Sequence, residues 1–175
     1  IIFTFAGHDT TGHTLTWLLY ELCKNPKCKE KLINEIDNYW KLNNEENYES
    51  FNDLPYMSRC ITETLRLWPA LANGTFRELE YDDEINGING KVKLKKGTYC
   101  QIFNWTKHRN PELWGEDANN FNPDRKFTDK ELWNETFSGY LTASERFSPF
   151  TYSPRNCLGK NFSHMEMRLI LLNIF

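Results

Sequence analysis

The residues most able to do chemistry are Phe150-Thr151-Tyr152-Ser153-Pro154-Arg155-Asn156-Cys157-Leu158-Gly159. Cys157 stands just before a stretch, from Leu158 onward, that reads as helix. Unpaired backbone N–H groups and the helix dipole at such a start stabilise an anion, a thiolate included. Arg155 adds a positive charge two residues away, and Gly159 lets something flat and bulky approach the backbone. Two readings of Cys157 stay open on these grounds. It is either a thiolate ligand or a buried cysteine near a helix start, the commoner fate of cysteines.

Two other groups of polar residues fall where polarity is costly or paired. Asp9 and Thr10 interrupt an otherwise apolar run, and a buried carboxylate and hydroxyl are penalised unless partnered or hydrated. Glu63 and Arg66 are three apart, so they share one helix face and can pair. An exposed pair of that kind is worth well under about 1 kcal/mol.

The elements that must position these residues follow from pattern. Residues 1–23 read as a long buried helix closed by Asn25-Pro26, because proline cannot continue it. Residues 26–40 read as a second helix, with Leu32, Ile33, Ile36 and Trp40 on one face. Residues 41–52 are a loop rich in Asn and Glu. Asp53 is placed to cap a third helix with Pro55 in its first turn, and Pro69 ends it. Between Gly74 and Phe103 the turn signals Asn86-Gly87, Asn89-Gly90 and Lys96-Gly97 separate short strands around Val92, Leu94, Tyr99 and Ile102, which predicts a small sheet. Residues 105–147 carry prolines, glycines and aromatics with little periodicity, and so long an irregular stretch usually has a purpose. The fold class expected is mainly α with a small β-sheet.

Length and composition bound the rest. The 175 residues suffice for one ordinary domain with a sizeable core. Yet the chain opens at Ile1 inside an apolar run and stops just after Leu169-Ile170-Leu171-Leu172. The expectation is a partial single domain over residues 1–175, truncated at both ends. A net charge of −3, with 26% charged residues of both signs mixed, gives no electrostatic footprint for nucleic acid. The five cysteines, Cys23, Cys28, Cys60, Cys100 and Cys157, include no C-x-x-C pair. That argues against a disulfide framework or a structural zinc site, and for at most one cysteine doing chemistry. Residues 1–20 are apolar enough to raise the question of a membrane span of about 20 residues, but His8, Asp9 and His13 in the middle favour a buried helix.

The cysteine segment resembles the haem loop of the cytochrome P-450 superfamily, F-x-x-G-x-R-x-C-x-G, with Ser153 where glycine is usual. Further blocks match in the same order along nearly the whole chain. Ala6-Gly7-His8-Asp9-Thr10-Thr11 looks like the A-G-x-D-T-T of the long helix crossing the haem. Glu63-Thr64-Leu65-Arg66 fits E-x-x-R, and Phe121-Asn122-Pro123-Asp124-Arg125 is similar to F-x-P-E-R. E-x-x-R alone occurs by chance in many helices; the ordered set is far more specific. The chain is thus read as the C-terminal part of that fold.

The resemblance implies haem b (iron protoporphyrin IX) with Cys157 as axial ligand of the iron, the thiolate pushing electron density onto the metal. It implies that Arg155 pairs with a haem propionate, that Phe150 packs beside the thiolate, and that Gly159 lies against the macrocycle. Arg77 stands where the family often has a second propionate-binding arginine; a solvated surface arginine is the equal alternative. His108 resembles the histidine of an H-R-x-P segment, for which a plain structural role is favoured over a propionate contact. Asp9 and Thr10 are implied to deliver protons to iron-bound dioxygen at a local break in the helix; the alternative is that their polar groups are bonded internally. Glu63, Arg66 and Arg125 are implied to form a buried structural cluster beneath the haem loop. Residues 71–76 would line the substrate pocket. Residues 128–144 look longer and more polar than the family usually carries, and are expected to be an external feature.

The function so implied is a monooxygenase inserting one atom of dioxygen into a small, lipophilic organic substrate, with electrons from NAD(P)H through a reductase partner, on the cytoplasmic face of the endoplasmic reticulum membrane if eukaryotic. The fragment alone is expected to be inactive. Two alternatives stand beside it. A reductase-independent haem-thiolate isomerase or dehydratase is opposed by the Asp9-Thr10 pair. A non-catalytic remnant or interaction domain is opposed by the intact cysteine loop.

Overall fold

The computed structural model describes residues 2–43, 49–133, 143–151 and 155–175. The turn at Ser153 expected from the cysteine motif, the middle of the 41–52 loop and most of the 128–144 segment lie outside them.

The first helix, α1 (Ile2–Lys24), stops where expected. Asn25 donates its backbone N–H to the Glu21 carbonyl at 2.9 Å, its side-chain amide donates to the same oxygen, and Pro26 then opens α2 (Pro26–Leu42). Leu32, Ile36 and Tyr39 recur at helical spacing on α2 and are its buried face. A short 3-10 turn (Glu49–Asp53) leads into α3 (Pro55–Leu67). Pro55 occupies its first turn as the sequence indicates, but the cap is not Asp53. Leu54 holds the N-cap position, and the free N–H groups of Tyr56 and Met57 are taken by the Glu35 carboxylate of α2, both at 2.7 Å. A neighbouring helix thus supplies the anion that the first turn needs.

Nearly every residue of α3 from Met57 to Leu67 is buried, so this short helix is the axis of the described structure. It is packed against α1 and α2, and α1 in turn packs on α6 (Lys160–Ile174). Leu18, Leu22, Leu32, Ile36, Met57, Ile61, Phe147, Met167 and Leu171 form the shared core, each at most 1% exposed. Among the described residues no helix is long and apolar enough to cross a membrane.

The strands form two antiparallel pairs rather than one sheet. β1 (Thr75–Glu78) pairs with β4 (Tyr99–Ile102), and β2 (Asp83–Gly87) pairs with β3 (Gly90–Leu94) through the tight turn at Ile88-Asn89. Gly74 makes the first pairing fit: its φ is +68°, and a Cβ there would lie 1.8 Å from the Ile102 carbonyl oxygen. The stretch that follows, expected to be irregular, holds two single-turn helices, α4 (Asn104–Lys107) and α5 (Pro111–Trp114). Asn110 caps the second by accepting from the Glu112 N–H at 2.9 Å. The fold is mainly α with a small β component, as the pattern predicts.

Candidate active site: a thiol in an apolar slot

Between α1, the end of α3 and the cysteine loop lies a cavity of about 270 Å³. Among the described residues no charged side chain lines it. Ala6, Gly7, Thr10 and Thr11 form the α1 wall; Phe150, Cys157, Leu158, Gly159 and Phe162 come from the loop and the start of α6.

Local hydrogen bonds build the loop. Thr151 donates its N–H to the Ser148 carbonyl at 3.1 Å, and Cys157 donates its N–H to the Phe150 carbonyl at 2.9 Å, closing the loop and bringing Phe150 beside the cysteine. Thr151 takes a left-handed backbone, φ 65°, unusual for a β-branched residue, and its hydroxyl donates to the Arg155 carbonyl. Gly159 is the N-cap of α6, so the helix begins at Lys160 rather than at Leu158, and Cys157 stands two residues before the cap with its side chain exposed toward the cavity.

On the opposite element, α1 is unbroken. The expected interruption at Thr10 is absent because the Thr10 hydroxyl bonds back to the Ala6 carbonyl at 2.7 Å, the internal satisfaction available to any helical threonine. Thr14 does the same with the Thr10 carbonyl at 2.9 Å. Thr11 differs: it is buried, its hydroxyl has no partner, and it lines the cavity. Asp9 is exposed and is not among the lining residues. A Cβ added to Gly7 would meet nothing within 4 Å, so the space beside α1 is open there.

This arrangement fits a flat, apolar group carrying a metal. Among the described residues no cluster of three His, Cys, Asp or Glu side chains could hold a metal ion unaided. A lone thiol in a charge-free slot suits an iron already held by a macrocycle, to which a soft sulfur adds one axial bond. Phe150, Cys157 and Gly159, singled out from the sequence, are brought together with Thr10. Arg155 and Arg77 are not: both are exposed outside the lining, and Arg77, in β1, donates to the Phe76 carbonyl at 2.8 Å. Of residues 71–76 only Leu71 reaches the cavity.

Below the slot, Glu63, Arg66 and Arg125 are brought together as the motifs imply. Arg66 reaches Glu63 through Nε and Nη2, each at 2.7 Å, and both side chains are fully buried. Its remaining donors go to the carbonyls of His108, Ala118 and Asn120. Arg125 adds Nε to Glu63 at 3.3 Å and spends Nη1 on the Trp114 carbonyl and Asp117. The Arg125 hydrogen bond to Asp117 holds that carboxyl below the usual range. Every charge is met by an opposite charge or a carbonyl, the condition under which buried ions are tolerated.

Other residues also organise the site. His108 is fully buried and its Nε2 accepts from the Ser148 N–H at 3.1 Å, tying α4 to the base of the cysteine loop. Burial, with Lys107 and Arg66 nearby, pushes its imidazole down to about 3. It is structural, the favoured of its two readings. Glu131 is also fully buried. Burial pushes its carboxyl up, but Arg146 at 2.8 Å, Ser144 at 2.6 Å and the Thr128 N–H at 2.9 Å hold it below the usual range. Thr128, Asp129 and Lys130 are exposed, but Glu131 and Trp133, the latter at 7% exposure, are packed inside, and the expectation of an external feature is corrected at these two residues, where Arg146 meets the buried carboxylate. The signal was present in hindsight: Trp133 and Leu132 are poor candidates for a solvated loop.

Comparison with known proteins agrees with this geometry. The family description "Cytochrome P450" matches residues 1–175. The chain is 36% identical over 99% of its length to CYP13A2, a cytochrome P450 of Caenorhabditis elegans. It is 35% identical over 98% of its length to a cytokinin hydroxylase of Arabidopsis thaliana, and 35% identical over 99% to cytochrome P450 3A12 of the dog, Canis lupus familiaris. It spans 30–32% of the length of these relatives. A family description matching the whole chain, with the ordered motifs and a thiol facing an apolar slot beneath α1, leaves one assignment: the chain belongs to the cytochrome P450 family.

Proposed function

We propose that the full protein is a haem-thiolate monooxygenase acting on a lipophilic organic substrate. The observation that carries this reading is that the Cys157 thiol and Thr10 line one charge-free cavity from two different elements. The name of the Arabidopsis relative, a hydroxylase, is in keeping with it.

When bound, haem would supply a dioxygen-binding iron and the oxidising power for insertion into a C–H bond. Cys157 would hold the iron and donate electron density to it. Phe150, Leu158 and Gly159 would exclude water from the sulfur side. Thr10 Oγ1, exchanging its Ala6 partner for a water, would hold a proton on the oxygen side, and the exposed Asp9 carboxylate would pass protons from solvent to it. Arg155, with Arg77 as second candidate, would meet the propionates. Two electrons from NAD(P)H, through a reductase, and two protons complete the balance, giving one oxygen atom in the product and one in water. For a eukaryotic protein, the same reading proposes the cytoplasmic face of the endoplasmic reticulum membrane as its location.

The test uses full-length protein with a reductase, NADPH and isotopically labelled dioxygen, offered a panel of lipophilic compounds. One labelled atom in the product supports the proposal. Product formed without label from dioxygen contradicts it.

A further inference from the structure

His164 lies on α6, two turns beyond Cys157, and nothing in the motifs assigns it a role. It is fully buried, and among the described residues its Nε2 has no hydrogen-bond partner. Two rings meet it: Phe150, tilted at 51° with centroids 5.2 Å apart, and Trp133, stacked at 6.0 Å and 25°. The Arg168 guanidinium sits 4.2 Å from the centre of the Trp133 ring and donates to the Ser58 hydroxyl of α3 at 2.9 Å. It also donates to the His164 carbonyl at 3.0 Å. Ser58 in turn donates to the Trp133 carbonyl at 3.4 Å.

These contacts therefore join three parts: the loop that carries the thiol, the axial helix α3, and the buried Trp133. Aromatic pairs and a cation over an indole face each attract beyond what burial alone contributes, in preferred geometries. Such contacts favour particular ring orientations, and Phe150, whose carbonyl accepts from the Cys157 N–H, lines the same cavity as the thiol. Burial, with the positive charges of Arg168 and Lys160, holds the imidazole well below its usual range, so His164 packs here as a neutral ring.

We propose that His164 and Trp133 are positioning residues for the thiolate: together they hold Phe150 in place beside the cysteine loop, so that the buried Trp133 governs how well the sulfur stays ligated. The inference rests on the haem-thiolate reading above. Residues that touch a ligand's neighbours commonly tune the metal in this way without touching it.

The experiment uses full-length protein loaded with haem, reduced and exposed to carbon monoxide. The readout is the rate at which the absorption band of thiolate-ligated iron gives way to the band of iron that has lost the thiolate. His164→Ala and Trp133→Ala should each raise this rate about tenfold, and the double variant should be no worse than the worse single one, since both act through one contact. His164→Phe and Trp133→Phe, which keep the stack, should restore the parental rate; a general loss of packing would not be rescued so selectively. Should His164→Ala fail to fold, His164→Leu, which fills the space without a ring, is expected to raise the rate equally. Folded alanine or leucine variants with the parental rate overturn the inference while leaving the haem-thiolate reading intact. A parent protein that never shows the thiolate band overturns that reading, and this inference with it.

Discussion

Arg66 grips Glu63 with two atoms of one guanidinium, Nε and Nη2, each 2.7 Å from a different carboxylate oxygen, and neither side chain is exposed. The pair is locked from outside as well, because the Asn122 N–H and Arg125 share the Glu63 oxygen that faces them. Removing one partner strands the others in a dry environment. Glu63→Ala is expected to cost about 3–5 kcal/mol of stability. Arg66→Lys should also be costly, since an ammonium cannot reproduce the fork. Urea unfolding measures both; a loss under about 1 kcal/mol for Glu63→Ala contradicts the buried cluster.

The two buried histidines make stability depend on pH in a defined window. His108, held down to about 3, and His164, held well below its usual range, are neutral in the folded chain, whereas unfolded histidine takes up a proton below about pH 6.5. Below that point the unfolded state binds more protons, so stability is full above about pH 6.5 and falls as the pH drops toward the folded values. Each histidine should contribute about 1.4 kcal/mol per pH unit inside the window. Unfolding at pH 7.5 and at pH 5 tests this, before most carboxylates titrate. His108→Gln should flatten the dependence, and a parent equally stable at both values contradicts it.

Much of this was legible in the sequence, for identifiable reasons. The helix of residues 26–42, the stop at Asn25-Pro26 and the placement of Cys157 before α6 follow from periodicity and proline, which act locally. The cap of α3 was misassigned because Glu35 is distant in sequence and only the packing of two helices brings it to Tyr56 and Met57. The division of the strands into two pairs depends on partner choice, which turn residues alone do not specify. In the site, the motifs identified Glu63, Arg66, Arg125, Phe150 and Cys157, and pointed to His108 without its partner Ser148, 40 residues away; Glu131 and His164 act through a contact made across 15 residues and through ring contacts that have no spacing rule.

Thr10→Ala separates chemistry from folding. The hydroxyl bonds only to the Ala6 carbonyl of its own helix, and alanine is the better helix former, so stability should change by less than about 0.5 kcal/mol. In the proposed reaction the same hydroxyl holds a proton, so product formed per NADPH consumed should fall about tenfold or more in full-length protein. Unchanged coupling in a folded variant removes Thr10 from proton delivery.

Glu131 gathers Arg146, Ser144 and Thr128 around one buried carboxylate. Glu131→Ala should cost about 2–4 kcal/mol, discounted from a fully buried pair because the Arg146 side chain is 26% exposed. It should also speed proteolytic cleavage within residues 128–144. Limited proteolysis of parent and variant measures this, and equal cleavage rates contradict an anchoring role.

The central claim is that the Cys157 sulfur ligates haem iron. Full-length protein, supplied with haem, reduced and exposed to carbon monoxide, is predicted to give the Soret band typical of thiolate ligation. That band should be abolished by Cys157→Ala. Absence of the band in the parent, or its persistence unchanged in Cys157→Ala, would contradict the account.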